Sequence, residues 1–285
     1  FYLFIAPWLI GFLVFLMYPL GSSLYYSFTR YDIGTHPAWI GISNYVNSFQ
    51  NPHFLNSLWV TVRFALVSIP GTMIVALGLA LLLAQSLKGI NAFRTMYFMP
   101  SVMPMVAISM TWFYVLRPDG GPLAGLLALV GIQAPRFLSD RAWGLPTLML
   151  INIWLTFGGY MVIYLAGIKS IPAELYEVAE IDGAGRWAKF WNVTIPMLSS
   201  TIFLNLILGI IGAMQMFDVP YVMTQGGPGE STLTYMYYLY NTGWVEIRMG
   251  LASALGWILF VIIMFITLLV LRSSQVWVYY EGERK

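Results

Sequence analysis

The sequence predicts an all-α membrane protein with six transmembrane helices. Of its 285 residues, 59% are hydrophobic and 9% are charged, and the mean hydropathy is +0.74. These values lie far from those of water-soluble domains and place the chain in a lipid bilayer. Backbone groups in lipid must be satisfied within helices or a closed barrel, and the alternating pattern of a membrane barrel is absent. Helices are therefore the expected spanning elements.

Six long apolar stretches mark the expected spans, because a helix that crosses the hydrocarbon core needs ~20 mostly apolar residues. They cover residues 2–28, 58–83, 96–116, 145–168, 201–223 and 251–271. An even number of spans puts both termini on one side, and we interpret residues 1–285 as a single transmembrane domain. The chain begins at Phe1, so we expect a further segment upstream. The first stretch is too long for a removable signal peptide.

Three of the segments between the spans are expected to be external, and the last of them begins with a tight turn at residues 225–229. Residues 29–56 are polar and rich in turn formers, which predicts a structured loop. Residues 117–144 contain a turn cluster and an apolar piece, 123–132, that is too short to span and is expected at the membrane interface. Residues 272–285 are expected to form a short amphipathic tail with aromatic residues at the inner interface.

A hydrophilic segment between the fourth and fifth spans has the organisation of a protein-binding loop. Three glutamates recur every three residues and would share one helix face: Glu174, Glu177 and Glu180. The opposite face would be apolar, with Leu175, Tyr176, Val178 and Ala179. Gly183 and Gly185 then break this helix, and residues 186–193 have the spacing of a second short helix. Two short helices joined by a glycine hinge are typical of a loop that binds another protein.

The same segment carries a family resemblance. It follows the pattern E-x-A-x-x-D-G-A from Glu177 to Ala184, with Ile171-Pro172 before it and Ile195-Pro196 after it. This pattern resembles the cytoplasmic EAA loop of binding-protein-dependent ABC importer permeases, although Val178 stands where the family usually has the first alanine. Four further stretches resemble the sugar-permease branch, near the maltose and glycerol-3-phosphate permeases. They are residues 6–8, 18–20, 41–45 and 224–228.

The resemblance implies a type I ABC importer permease fold with a coupling loop at about residues 169–197. Cytoplasmic ATPase subunits would bind this loop, with Glu177 as the charged anchor and Gly183 allowing close approach. The residues that match the family's coupling role are Glu174, Glu177, Ala179, Asp182, Gly183, Ala184 and Pro196. The implied partners are a second homologous permease, two ABC ATPases, an extracellular solute-binding protein, a sugar-like cargo and membrane lipid.

No group of residues indicates catalysis. The G-x-x-x-x-G-K-[ST] loop that cradles phosphates is missing, so we expect partner subunits to bind ATP and magnesium and to hydrolyse the ATP. His36 and His53 lie in one external loop without a third ligand nearby, which argues against zinc. The lack of cysteine excludes disulfides and thiolate chemistry. A net charge of +2 without a basic block argues against nucleic acid. We expect no cofactor, no metal and no enzyme activity in this chain.

Polar and aromatic residues in the fourth and fifth spans are the candidates for a cargo path. Polar groups at membrane depth are costly and usually face the interior of a helix bundle. Sugars are bound by polar side chains and by aromatic faces that stack on their CH-rich surfaces. Hydrogen bonds between helices would use the same residue types, so that alternative stays open. The candidates are Asn152, Trp154, Tyr160, Asn205, Gln215, Asp218 and Tyr221, with Asp218 near the outer mouth.

The lysines agree with the orientation that the resemblance implies. With the coupling loop in the cytoplasm, all four lysines fall on the inner side, whereas the arginines are divided between the two sides. We therefore expect a multi-pass protein of a prokaryotic inner membrane with both termini in the cytoplasm.

Two alternatives to a sugar importer remain open at this point. An importer for another cargo, such as phosphate esters or polyanionic oligosaccharides, would need positive charge along the path, for which Arg63 and Arg248 near the outer ends are the only hints. A secondary transporter driven by an ion gradient would need ionisable residues deep in its spans, and the span centres lack them.

Overall fold

The computed structural model describes residues 2–85 and 88–279, and this part of the chain is mostly helical. The α-helices are α1 Tyr2–Phe12, α2 Tyr18–Ser27, α3 Ser43–Gln50, α4 Pro52–Leu83, α5 Ile90–Phe98, α6 Met105–Val115, α7 Pro122–Leu129, α8 Arg141–Ser170, α9 Ala173–Ile181, α10 Arg186–Lys189, α11 Ile195–Met197, α12 Ser199–Met214, α13 Asp218–Met223, α14 Tyr235–Tyr240 and α15 Met249–Trp277. π-Helical turns continue α1, α10 and α14, and a 3₁₀ turn continues α5: Leu13–Met17, Phe190–Thr194, Asn241–Val245 and Met99–Val102. The strands β1 Thr29–Arg30 and β2 Ala38–Trp39 pair antiparallel.

Within the described residues, five helical segments are long and apolar enough to cross a bilayer. They are Phe4–Ser27, Pro52–Leu83, Arg141–Ser170, Ser199–Met223 and Met249–Trp277. Two shorter helical segments, Ile90–Val102 and Met105–Val115, meet at an angle of 95° and are together long and apolar enough for a sixth crossing. The predicted all-α membrane fold is confirmed, and the predicted count of six spans holds when the bent pair is taken as one span.

The third span is bent, whereas the sequence suggested one continuous helix over residues 96–116. The bend lies at Met103 and Pro104, where Met103 adopts an extended conformation with ψ 145°. Proline lacks an N–H and disfavours the helical conformation in the residue before it. The apolar run is therefore long enough for one span, but Pro104 ends one helical segment and begins the next.

The fifth span is also interrupted. α12 ends at Met214, residues 215–217 are not helical, and α13 begins at Asp218. Pro220 lies in the first turn of α13, where its missing N–H is tolerated, but it could not continue an unbroken helix from α12. The predicted span over residues 201–223 is thus two helices, and the Gln215 side chain is exposed at the break.

α4 and α8 form the centre of the bundle and pack against each other along their length. Their contact buries Val60, Phe64, Leu148 and Leu155 completely or nearly so. Four hydroxyl groups of α4 are buried as well, and two of them donate to a carbonyl of the preceding turn: Ser57 to Phe54 at 2.8 Å and Thr61 to Ser57 at 2.9 Å. Such bonds satisfy the polar group inside its own helix, which lipid surroundings require.

The segment after the first span, which the sequence predicts to be a structured external loop, is folded. β1, β2 and α3 cover the start of α15, and the Asn44 amide donates to the carbonyls of Ser27 and Thr29 at 2.9 Å each. The Gly250 N–H donates to the Tyr31 carbonyl at 2.9 Å. The first span itself packs on α15 through α2 and has no buried residue in its apolar window, so it lies at the outside of the bundle.

The predicted amphipathic tail at residues 272–285 begins instead as the last turns of α15, which runs on to Trp277. Tyr280 and the residues after it lie outside the described part of the chain. The Trp277 ring packs edge-on against Phe203 of α12, with ring centroids 6.1 Å apart. The start of the fifth span and the end of the sixth are therefore in contact.

Candidate functional site: coupling loop and cargo cavity

The coupling loop folds as two helical arms around Gly183. α9 begins after Pro172 and ends at Ile181, and Gly183, two residues further on, adopts φ +78°. The Ala184 N–H donates to the Ala179 carbonyl at 2.8 Å, and the Gly183 N–H donates to the Glu180 carbonyl at 3.0 Å. These bonds form a helix C-terminus of the kind that favours glycine in the left-handed region. The predicted helix–glycine–helix arrangement is thus present in the structure.

The three glutamates of α9 have different surroundings. Lys189 of the second arm forms an ion pair with Glu180, with Nζ and Oε2 2.7 Å apart. The hydrogen bond from Lys189 lowers the pKa of the Glu180 carboxyl. Glu174 and Glu177 are exposed and form no ion pair within the described residues. Glu180 therefore holds the two arms together, while Glu174 and Glu177 are available to a partner.

The apolar side of the loop is more exposed than the sequence suggested. Of the predicted apolar face, Tyr176 and Ala179 are half-buried, whereas Leu175 and Val178 are exposed. Ile181 is 85% exposed. In the second arm, the large rings of Trp187 and Trp191 are also exposed. Apolar groups exposed next to free carboxylates mark a surface that another protein or the membrane interface covers.

Hydrogen bonds and a close helix contact fix the base of the loop next to α8, α12 and the end of α15. The Tyr176 hydroxyl lies 3.0 Å from the buried Thr194 hydroxyl, which closes the loop on itself. Ser199 donates to the Pro196 carbonyl at 2.6 Å and accepts from the Tyr279 N–H at 2.8 Å. A Cβ on Gly167 would lie 2.5 Å from Thr201 Oγ1, so α8 and α12 approach closely here. The exit of the loop is thus held by α8, α12 and the end of α15.

A cavity of about 180 Å³ lies between α4, α8 and the interrupted fifth span. Four of the predicted cargo residues line it: Asn152, Tyr160, Gln215 and Asp218. Its wall also contains hydroxyl groups that the sequence reasoning missed, from Ser68, Thr72 and Thr156. The Ser68 hydroxyl is buried and has no hydrogen-bond partner in the described part of the chain. The four-residue spacing of Ser68 and Thr72 on one face of an apolar helix was the signal that could have identified them.

The other three candidates do not line the cavity. Trp154 packs into the core, edge-on against Trp112 at a centroid distance of 5.3 Å. Asn205 is fully buried, and its amide nitrogen lies 3.5 Å from the Tyr160 carbonyl of the neighbouring helix, the interhelical arrangement that was left open as an alternative. Tyr221 stacks on Phe217 at 5.1 Å. Phe217 lines the cavity, so Tyr221 lies behind a residue of the cavity wall and does not line the cavity itself.

Comparison with known proteins places the chain in a family. A family model described as the inner membrane component of binding-protein-dependent transport systems matches residues 73–279. The probable ABC transporter permease protein YesP of Bacillus subtilis (strain 168) is 38% identical over 289 residues, which cover 100% of this chain and 93% of that protein. The sulfoquinovosyl glycerol transport system permease protein SmoG of Agrobacterium fabrum (strain C58 / ATCC 33970) is 32% identical over 272 residues, which cover 95% of this chain and 88% of that protein.

The fold agrees with this placement. A chain in the crystal structure of a bacterial ABC transporter involved in the import of the acidic polysaccharide alginate superposes with a TM-score of 0.81 at 25% sequence identity. The superposition covers 96% of this chain and 94% of that one. The apolar helices agree with a multi-pass protein of the inner membrane. The chain therefore belongs to the family of binding-protein-dependent transport system inner membrane components, the membrane permeases of ABC transporters.

Proposed function

We propose that this chain is one of two membrane subunits of an ATP-driven importer that moves a sugar, an oligosaccharide or a related polyol into the cell. One observation carries the proposal: α12 begins at the exit of the coupling loop, and its outer half lines the cavity through Gly209, Gly212 and Ala213. A single helix thus links the surface available to an ATPase with the space available to cargo.

A second homologous permease would complete the path. Gly212 and Gln215 line the cavity and are exposed in this chain, so the cavity is open on that side. Its volume of about 180 Å³ is also below the roughly 300–1,000 Å³ of pockets that enclose whole small ligands. Both features fit a half-site that a neighbouring subunit closes, with a solute-binding protein delivering cargo at the outer face.

The cargo assignment rests on the chemistry of the cavity and on the relatives. Amide, hydroxyl and aromatic groups line it together with the Asp218 carboxylate, a mixture suited to a polyhydroxylated ligand. The names of similar proteins mention sulfoquinovosyl glycerol and alginate. Arg63 and Arg248 do not line the cavity, because Arg63 lies over the Trp59 ring and Arg248 contacts Glu246. The geometry therefore gives no support to the phosphate-ester alternative.

Two ATPases on the cytoplasmic side would supply the energy, with both termini of the permease on that side. Their closure on ATP has to favour the outward-open arrangement, and reversing a 1:99 equilibrium requires a difference of about 5.5 kcal/mol between the two states. ATP and magnesium would be bound by these partners, with no cofactor in this chain.

Glu177→Arg is expected to lower the binding of the partner ATPase at least about tenfold, because a repelling charge would replace the free carboxylate of the loop. The measurement is a pull-down of the ATPase with the detergent-solubilised permease. Glu246→Arg is the matched control, since Glu246 is similarly accessible but far from the loop in sequence and expected on the outer side. Unchanged binding of the Glu177→Arg variant would contradict the docking role, and a wild-type chain that binds no ATPase would favour an ion-gradient transporter.

Gln215→Ala is expected to raise the KM of uptake about fivefold, because a hydrogen bond to an uncharged hydroxyl group of the ligand contributes about 1 kcal/mol. Asn205→Ala is the control, since Asn205 is buried between helices and outside the cavity. It should lower the thermal stability of the permease and leave KM unchanged. The reverse pattern, with KM altered only by Asn205→Ala, would show that the cavity is not the cargo site.

A further inference from the structure

An apolar groove of about 270 Å³ lies on another side of α8 from the cargo cavity, towards its N-terminal end. α6, α7, α8 and the segment before α8 form its walls, with Trp112, Leu123, Phe137, Trp143, Leu150 and Trp154 among the lining residues. Its lining is almost free of polar atoms, in contrast to the cargo cavity. The groove is therefore unsuited to a sugar and suited to a hydrocarbon chain.

The groove is open to the surroundings of the bundle. Leu150 is 68% exposed, and Trp143 is also exposed at its edge. On the neighbouring α7, Leu126 and Leu129 are exposed as well. In a chain that spans a bilayer, apolar side chains of this kind contact lipid, so acyl chains have direct access to the groove.

Arginines flank the groove in the sequence, on the side predicted to be external. Arg117 directly follows Leu116, and Arg136 directly precedes Phe137, and both of these apolar neighbours line the groove. The two arginines are exposed and form no ion pair among residues 2–85 and 88–279. Arginine on the outer side runs against the usual inward bias of positive charge, and the coupling and cargo functions do not use these two residues.

The charged residues near Arg117 and Arg136 leave this edge of the groove, its rim, with a net positive charge. Arg141 donates to the Gly229 carbonyl at 3.1 Å, which holds its guanidinium towards a neighbouring loop. Asp140 accepts from the Ala142 N–H at 2.7 Å as the cap of α8. Asp119 is exposed two residues after Arg117. With three arginines and two aspartates in this region, one positive charge remains, and the guanidinium groups of Arg117 and Arg136 are free to bind a phosphate.

We propose that this groove is a binding site for an anionic phospholipid of the outer leaflet. One acyl chain occupies the groove between α6 and α8, and Arg117 and Arg136 bind the phosphodiester of the head group. The lipid fills the space beside the outer part of the bent third span. This proposal is independent of the cargo and of the ATPase.

Lipid retention tests the site directly. The full chain is purified from nanodiscs of equal parts phosphatidylglycerol and phosphatidylcholine, and bound lipid is measured by native mass spectrometry. The wild type is expected to retain phosphatidylglycerol selectively. Arg117→Gln/Arg136→Gln should lower this retention about fivefold for each arginine removed. Arg30→Gln/Arg63→Gln, which removes two outer arginines away from the groove, should change it little.

A second pair of measurements separates the groove from its rim. Leu150→Trp should fill the groove and lower the retention of both lipids, and inorganic phosphate should not displace the bound phosphatidylglycerol. Displacement by phosphate would show that the lipid is held by its charge alone, and this result would overturn the assignment of the groove to an acyl chain. Equal retention of the two lipids by the wild type, which requires no variant to fold, would overturn the assignment of the arginines, as would an equal loss in the control pair.

Discussion

Gly183→Val is expected to lower cargo uptake at least about tenfold while the permease still folds and assembles. Gly183 adopts φ +78°, and a residue with a Cβ pays roughly 1–2 kcal/mol there, with β-branched residues at the upper end. A Cβ at this position would meet no atom within 4 Å. The loss would therefore come from the backbone of the hinge and from contact with the ATPase. Uptake and ATP hydrolysis in proteoliposomes are the measurements, and hydrolysis should continue without uptake.

Two control variants separate these causes. Gly185 has φ −68° and equally open surroundings, so Gly185→Val tests the effect of added bulk without the left-handed conformation. Gly183→Asn adds bulk with a residue that tolerates that conformation. Uptake close to normal in both controls would assign the defect to the hinge backbone. A defect in Gly183→Asn that equals that of Gly183→Val would instead favour close approach of the ATPase, and normal uptake by Gly183→Val would contradict both explanations.

The position of the hinge explains why a local change should reach the cargo. Ser199, the first residue of α12, is bonded to Pro196 at the loop exit and to Tyr279 at the end of α15. α12 then runs for 16 residues without a break, a length of ~24 Å. Its last turns line the cavity at Gly209, Gly212 and Ala213. A displaced loop would therefore move one wall of the cavity.

The hydropathy of the sequence and the positions of glycine and proline were sufficient to predict the spanning segments and the coupling loop. Spanning segments are long apolar runs, and their physical cause, the lack of water in the bilayer core, acts on every residue of the run. The coupling loop was equally predictable from the sequence, because the backbone preferences of Pro172 and Gly183 limit α9 at its two ends. Such signals are local, so they are readable without knowledge of the neighbouring helices.

The breaks in the third and fifth spans were not predicted, and the cavity was predicted poorly because it depends on tertiary packing. A hydropathy window averages over Pro104 and Pro220, although each proline is the local cause of a break. Polarity alone could not separate Asn152, which lines the cavity, from Asn205, which lies between helices. The aromatic character of Trp154 suggested sugar contact, but its ring belongs to the core beside Trp112. Which face of a helix meets which neighbour is not contained in the residue type.

Gly158→Ala is expected to destabilise the permease by about 1–3 kcal/mol, the usual cost of inserting an atom into a well-packed contact. A Cβ on Gly158 would lie 2.5 Å from the Tyr97 carbonyl oxygen and 3.0 Å from the Phe98 Cα. Both are backbone atoms of α5, so no side chain can rotate away. Small residues allow such close approach of helices in membranes. The measurement is the thermal unfolding midpoint of the purified permease in detergent.

Gly159→Ala is the matched control, because the next position of the same helix has no atom within 4 Å of an added Cβ. The two variants change helix propensity equally, so their difference reports the contact with α5 alone. A shift of α5 would also move Met105, which follows the bend and lines the cargo cavity. Gly158→Ala should therefore alter the KM of uptake as well as stability. Equal unfolding midpoints for the two variants would show that the bent third span does not pack on α8 at Gly158.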